Sequence, residues 1–169
     1  MRVTLRPVQA GDEPFLLRVY AGTRAEELAP VPWTAEQKAA FMAQQFAAQT
    51  VHYEQHYAGM NADVIMIDDV PAGRLLVDRR DDAILIVDIS LVPEHRGRGA
   101  GSVLVREVLA EATAAAKRVV IHVERFNRAL RLYERLGFRV VGEHGVYLRM
   151  EWEPASRDTT TRPTAAHRA

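Results

Sequence analysis

With 169 residues, 48% of them hydrophobic, the chain has the length of one domain and enough apolar side chains to build a core. Lysine plus arginine and aspartate plus glutamate each number 22, so the formal charge is zero and the basic excess of a nucleic-acid binder is missing. The lack of cysteine excludes disulfides, thiolate metal sites and cysteine nucleophiles.

Val3 and Leu5 alternate with polar neighbours, which predicts a short strand over Arg2–Arg6. Asp12 is placed as a helix N-cap ahead of Glu13 and Pro14, with Phe15, Leu16, Val19 and Tyr20 forming the apolar face. A second helix is expected to open at Thr34, whose spacing to Gln37 fits a capping box, and to run towards Tyr53. Arg24, Glu26, Glu27 and Trp33 then fall in the connection between the two helices.

Strands are predicted next: Val64–Ile67, a turn at Asp68–Pro71, Gly73–Val77, a charged turn at Arg79–Asp82, and the long apolar run Ala83–Val92. Such a run fits a central strand covered on both faces. Ser102–Lys117 carries helical periodicity in Leu104, Val105, Val108, Leu109 and Ala112. Val119–Val123 reads as a strand and Ala129–Leu136 as a helix with Gly137 as its cap. Phe138–Val141 and Val146–Trp152 form a hairpin around Gly142–Gly145. The domain is expected over 1–153, followed by a disordered polar tail over 154–169. This order predicts an α/β or α+β domain with a mixed sheet. No segment approaches the roughly 20 apolar residues that cross a bilayer, and the opening residues lack a secretory signal, so a cytoplasmic protein without a membrane partner is expected.

The segment Glu94–Ser102 (EHRGRGAGS) follows a strand and opens a helix. Glycines there let the backbone approach a ligand, and the unpaired first amides of a helix favour phosphate. Arg96 and Arg98 are placed to add charge-assisted contacts. An ordinary glycine turn with solvated arginines is the alternative. A P-loop is excluded because the required lysine is missing, and G-x-G-x-x-G fails at Ser102.

Arg96-Gly97-Arg98-Gly99-Ala100-Gly101 resembles the R/Q-x-x-G-x-G/A signature of GNAT acetyltransferases. Asn127 followed by Ala129, Tyr133, Gly137 and Phe138 is similar to the family's second signature, N-x-x-A-x-x-x-Y-x-x-x-G-F, with Arg128 where many members have proline. The resemblance is specific over about Ala83–Phe138. It implies the GNAT fold, with a mostly antiparallel sheet splayed at an acetyl-CoA site and helices on both faces. It also implies pantetheine between Ala83–Val92 and Val119–Val123, held by the main chain of Leu91 and Val92 and by Asn127. Pyrophosphate would lie on the amides of Arg96, Gly97, Arg98, Gly99, Ala100, Gly101 and Ser102.

Tyr133 is implied as general acid near the sulfur. Expulsion of a thiolate is easier with a proton donor, and a phenol stays protonated at pH 7; its helical spacing alone favours a core position, and the resemblance reverses that preference. For the base, Asp88 interrupts an apolar strand, and Glu124 shares a strand face with His122; each also fits a hydrogen-bonded structural role. Arg24, Glu27, Trp33 and Tyr147, with Tyr53 and Tyr57 beside them, are candidates for the acceptor site. His95 is expected in solvent, and no histidine spacing suggests a metal. The expected activity is transfer of acetyl from acetyl-CoA to a primary amine of a small molecule or peptide. A non-catalytic acetyl-CoA sensor is the alternative, a nucleic-acid binder a third, and a homodimer stays open.

Overall fold

The computed structural model describes residues 1–156. Its elements are β1 (Val3–Pro7), α1 (Glu13–Leu28), α2 (Ala35–His56), β2 (Asn61–Ile67), β3 (Val70–Arg79), β4 (Ala83–Leu91), α3 (Ala100–Ala115), β5 (Arg118–Glu124), α4 (Leu130–Arg135), β6 (Arg139–His144) and β7 (Tyr147–Trp152). The predicted order therefore holds. The expected tail lies outside the described residues from 157 onward.

Local chemistry sets most boundaries. The capping box at α2 forms as expected: Gln37 N–H donates to Thr34 Oγ1 at 3.1 Å and Thr34 N–H to Gln37 Oε1 at 2.9 Å. Asp12 does not cap α1 through its side chain. Its carboxylate is taken by the Arg6 guanidinium at 2.8 Å and by Gln9 N–H at 2.7 Å. Those bonds, that of Arg6 the largest, hold its pKa down to about 2. Helix α1 also runs through Arg24, Glu26 and Glu27, which leaves only a short connection before α2. The β2–β3 turn is two residues, Asp68 and Asp69, both at positive φ, the backbone a tight hairpin needs. The β6–β7 turn is Gly145–Val146, beginning three residues later than the sequence suggests, with Gly142 inside β6.

The sheet has seven strands in the order β1-β2-β3-β4-β5-β7-β6. Only β4 and β5 pair in parallel. Leu104, Val105, Val108, Leu109 and Ala112 of α3 join Ile84, Ile86, Val119, Ile121 and Met150 in one buried cluster on one face. Leu75 and Val77 of β3 lie in that cluster, so by strand alternation Arg74 and Leu76 face the other side. Helix α2 is found there, since Arg74 bonds Gln49 and lies over the Phe46 ring. Tyr20 of α1 packs on Phe46 with centroids 5.7 Å apart. Helices thus cover both faces, with α1 packed mainly on β3 and β4.

The sheet opens between β4 and β5. Their pairing runs from Ala83 with Arg118 to Ile86 with Ile121 and stops. At that level Leu76 of β3 faces Asp88 while Val77 faces Ile86, so Val87 is an inserted residue. Such a bulge bends the strand that carries it. Beyond it, β4 stays with β3 at very short range: a Cβ on Gly73 would lie 2.1 Å from the Ser90 carbonyl oxygen and 3.0 Å from Leu91 Cα. The upper half of β4 is therefore drawn towards β3 and away from β5. Gly73→Ala is expected to lower the unfolding free energy by about 1–3 kcal/mol, because the obstacle is backbone and has no rotamer to move. Urea titration reads this directly, and an unchanged midpoint would show that the two strands are not in close contact.

Candidate active site

Beyond the opening, the chain turns sharply. Val92 N–H donates to Ala72 on β3 at 2.9 Å and its carbonyl accepts from His95 N–H at 3.0 Å. The Val92 N–H, expected to help hold pantetheine, is thus already used within the protein, and its carbonyl accepts one internal bond. Strand alternation then points the amide of Leu91 the other way, towards the opening. The Arg96 side chain also departs from expectation. Its Nε donates to the Leu91 carbonyl at 2.9 Å and its Nη2 to the Gly22 carbonyl at 3.1 Å. Arg96 fastens the turn to the end of β4 and to α1. A second tie joins Arg18 of α1 to Glu94.

Gly97 and Gly99 take φ of 71° and 88°, in the region that disfavours a side chain. The first internal bond across the start of α3 runs from Val103 N–H to the Gly99 carbonyl at 3.1 Å. Ahead of it, the amides of Ala100, Gly101 and Ser102 lack intrahelical acceptors. No side chain caps this end and no acidic residue lies in its first turn. A Cβ on Gly97 or Gly99 would meet no atom within 4 Å. The helix dipole thus meets open space at an uncapped end, an arrangement suited to an anion. Arg98 is exposed there without a partner among the described residues. Arg106 reaches back one turn to the Ser102 hydroxyl at 3.2 Å. It adds a cation that sequence reasoning missed, although its i+4 spacing from Ser102 was visible.

On the α3 side of the opening, Tyr133 is buried, with its ring edge-on to Phe138 at 5.7 Å. The phenol has no hydrogen bond within the described residues. Burial, and then the negative charge of Asp88, push its pKa above the ordinary tyrosine value. Asn127 Oδ1 accepts from Ala129 N–H at 2.8 Å, which starts the α4 segment, and Asn127 is otherwise exposed.

On the other side, Asp88 is not free. One oxygen accepts from Arg74 Nε at 2.5 Å and the other from the Ser90 hydroxyl at 2.9 Å. The Arg74 side chain is 7% exposed and also holds Gln49 at 2.6 Å. The sequence hides this pair because the partners lie 14 residues apart and meet only through the β3–β4 register. Breaking a buried pair is costly, so Asp88 is a positioning group for the bulge and a poor free base.

Glu124 ends β5 and lies 3.7 Å from Arg24, which also contacts Glu27 at 3.1 Å. Tyr147 faces Glu124 across the β5–β7 ladder. The structure thus brings Arg24, Glu27, Glu124 and Tyr147 to one rim. Tyr53 is drawn in as well: burial first, then Asp88, raise its pKa to about 12, with Tyr57 and Tyr147 contributing. Trp33 stays apart. It stacks on Phe41 at 5.3 Å in a shallow groove of about 360 Å³ with Gln37, Ala40 and Gln44. His95 is no solvated loop residue, since its Nδ1 is sealed from solvent, without a partner among the described residues. Among the described residues no group of His, Asp or Glu is placed to hold a metal, and no helix is long and apolar enough to cross a membrane.

The family model for the acetyltransferase (GNAT) family matches residues 23–138. Among solved structures, the chain is similar to the PaiA N-acetyltransferase of Thermoplasma acidophilum in complex with coenzyme A, with a TM-score of 0.69 and 16% identity over 90% of this chain and 99% of that one. An acetyltransferase from Thermus thermophilus gives a TM-score of 0.63 and 21% identity, over 90% and 97%. A GNAT family acetyltransferase from Elizabethkingia anophelis with acetyl-CoA bound gives 0.56 and 16%, over 89% and 97%. At these identities the likeness is one of fold.

Proposed function

The chain belongs to the GNAT acetyltransferase family, and from that premise we propose that it transfers acetyl from acetyl-CoA to a primary amine by direct attack in a ternary complex. One observation carries the proposal: the uncapped N-terminus of α3 follows the splayed end of β4, so an anion cradle and an open cleft are continuous. Coenzyme A has the matching shape, a diphosphate joined to an extended pantetheine arm. The amides of Gly97–Ser102 hold the diphosphate, supported by Arg98 and Arg106. Arg96 fixes the turn. Pantetheine pairs with the Leu91 amide and meets the exposed end of Asn127.

The thioester then lies between β4 and β5. The amine nitrogen attacks its carbonyl carbon, a C–N bond forms, and the C–S bond breaks. Tyr133 gives its proton to the departing sulfur, and the raised pKa keeps that proton in place until then. The carboxylate of Glu124, at the rim, attracts an ammonium group, which releases one proton to solvent before its nitrogen attacks. No acyl-enzyme is required.

The test is a screen of polyamines, amino acids, aminoglycosides and peptide N-termini, with thiol release and product mass as readouts. Acetylation of any primary amine at the expense of acetyl-CoA supports the proposal. Tight acetyl-CoA binding with no transfer to any of them would leave a binding module instead. We also assign the functional domain to 1–153. Truncation after Glu153 is expected to move the melting temperature by less than about 2 °C, whereas a larger fall would show that the removed residues support the domain.

A further inference from the structure

Strand β5 lies inside the sheet, between β4 and β7. Val119, Val120, Ile121 and Val123 are buried, yet His122 among them is exposed. A central strand exposes a side chain only where both a neighbouring strand and a covering helix are missing. Ile121 is the last residue of β5 paired with β4, so His122 is at the apex of the opening, and the main packing of α1 is on β3 and β4, with Arg24 reaching β5 at Glu124. Strand alternation puts His122 on the face opposite Ile121 and Val123, which share the buried cluster with Tyr133. Tyr133 and His122 therefore flank the cleft from opposite faces of the sheet.

The other charged groups on this face are engaged. Asp88 is held by Arg74 and Ser90. Arg149, directly across the ladder from His122, is bound to Glu151 at 2.7 Å. Glu124 lies near Arg24. The Tyr53 phenol, its pKa raised by burial and then by Asp88, stays protonated at neutral pH. The His122 ring nitrogens have no partner among the described residues.

We infer that His122 is the base that accepts the proton of the attacking amine, an assignment that rests on the acetyl-transfer reading above. As the C–N bond forms, the N–H proton passes to the imidazole; as the C–S bond breaks, the Tyr133 proton passes to sulfur. Solvent then takes the proton from the imidazolium and returns one to the phenolate. The surroundings suit the role. Partial burial and then the positive charge of Arg149 lower the His122 pKa from its ordinary 6.5, so the ring is neutral and able to accept at pH 7. Activity should hold above that pKa and fall as pH drops through it.

The experiment compares the pH dependence of kcat for the full chain and for His122→Gln, using an amine that the screen identifies. The expected result is an acid limb centred below 6.5 in the unaltered chain. In the variant that limb is lost and kcat falls about 10²-fold or more, with acetyl-CoA affinity and melting temperature retained. Partial recovery of His122→Ala by added imidazole would support the same role. An unchanged kcat with the acid limb intact would overturn the assignment. Failure of the unaltered chain to acetylate any amine would overturn the transferase proposal and this assignment with it.

Discussion

Tyr133→Phe is expected to lower kcat by about 10²–10³-fold while leaving acetyl-CoA affinity within about twofold. The substitution removes one oxygen and nothing else. That oxygen makes no hydrogen bond among the described residues, so the protein loses no internal partner, and the ring keeps its edge-on contact with Phe138. A purely structural tyrosine with an unbonded hydroxyl should tolerate phenylalanine with little change in stability. Turnover and stability therefore separate the two roles. A lower kcat at unchanged melting temperature assigns the proton to catalysis. Unchanged turnover, with chemistry rate-limiting, would leave Tyr133 as core alone.

Gly99→Val is expected to weaken acetyl-CoA binding about tenfold or more. The residue holds φ of 88°, where a β-branched side chain is strained by roughly 1–3 kcal/mol. Relief of that strain would tilt the first turn of α3 and misdirect its amides, and each 1.4 kcal/mol is tenfold in affinity. A retained backbone would fare no better, because the valine methyls would enter space that is now free of protein atoms. Gly101→Ala is the informative comparison. Its Cβ would lie 3.7 Å from Leu132 Cδ2, an ordinary contact, and its φ is not left-handed. Calorimetric titration should show a much smaller loss for Gly101→Ala. Equal affinities for Gly99→Val and the unaltered chain would remove the turn from the cofactor site.

The parts legible from sequence were those with local causes. Periodicity placed α3, and Thr34 with Gln37 marked the start of α2, because each rests on residues a few positions apart. The glycine turn and Tyr133 were likewise visible as linear patterns. What escaped depended on register. The run Ala83–Val92 does not reveal that Val87 is an insertion, yet that residue sets where β4 leaves β5. Nor does it show that Asp88 answers a buried arginine on the neighbouring strand. Arg96 was expected to face phosphate, but the turn folds its guanidinium back onto two carbonyls. Glu124 and Arg24 lie 100 residues apart, and only the sheet and α1 together create their rim.

The difference matters for mechanism. Linear motifs mark the proposed cradle and the proposed acid, whereas the candidate base and the splay beside it arise from strand alternation around one bulge. His122 shows this well: by sequence it is one polar residue in an apolar strand, and by topology it is at the apex of the cleft.

The most direct measurement is a crystal structure of the chain with coenzyme A. The expected density places the diphosphate on the amides of Gly97–Ser102 and the pantetheine between β4 and β5, with its sulfur within hydrogen-bonding reach of the Tyr133 hydroxyl. Coenzyme A bound at another surface, with this turn and cleft unchanged and empty, would contradict the account.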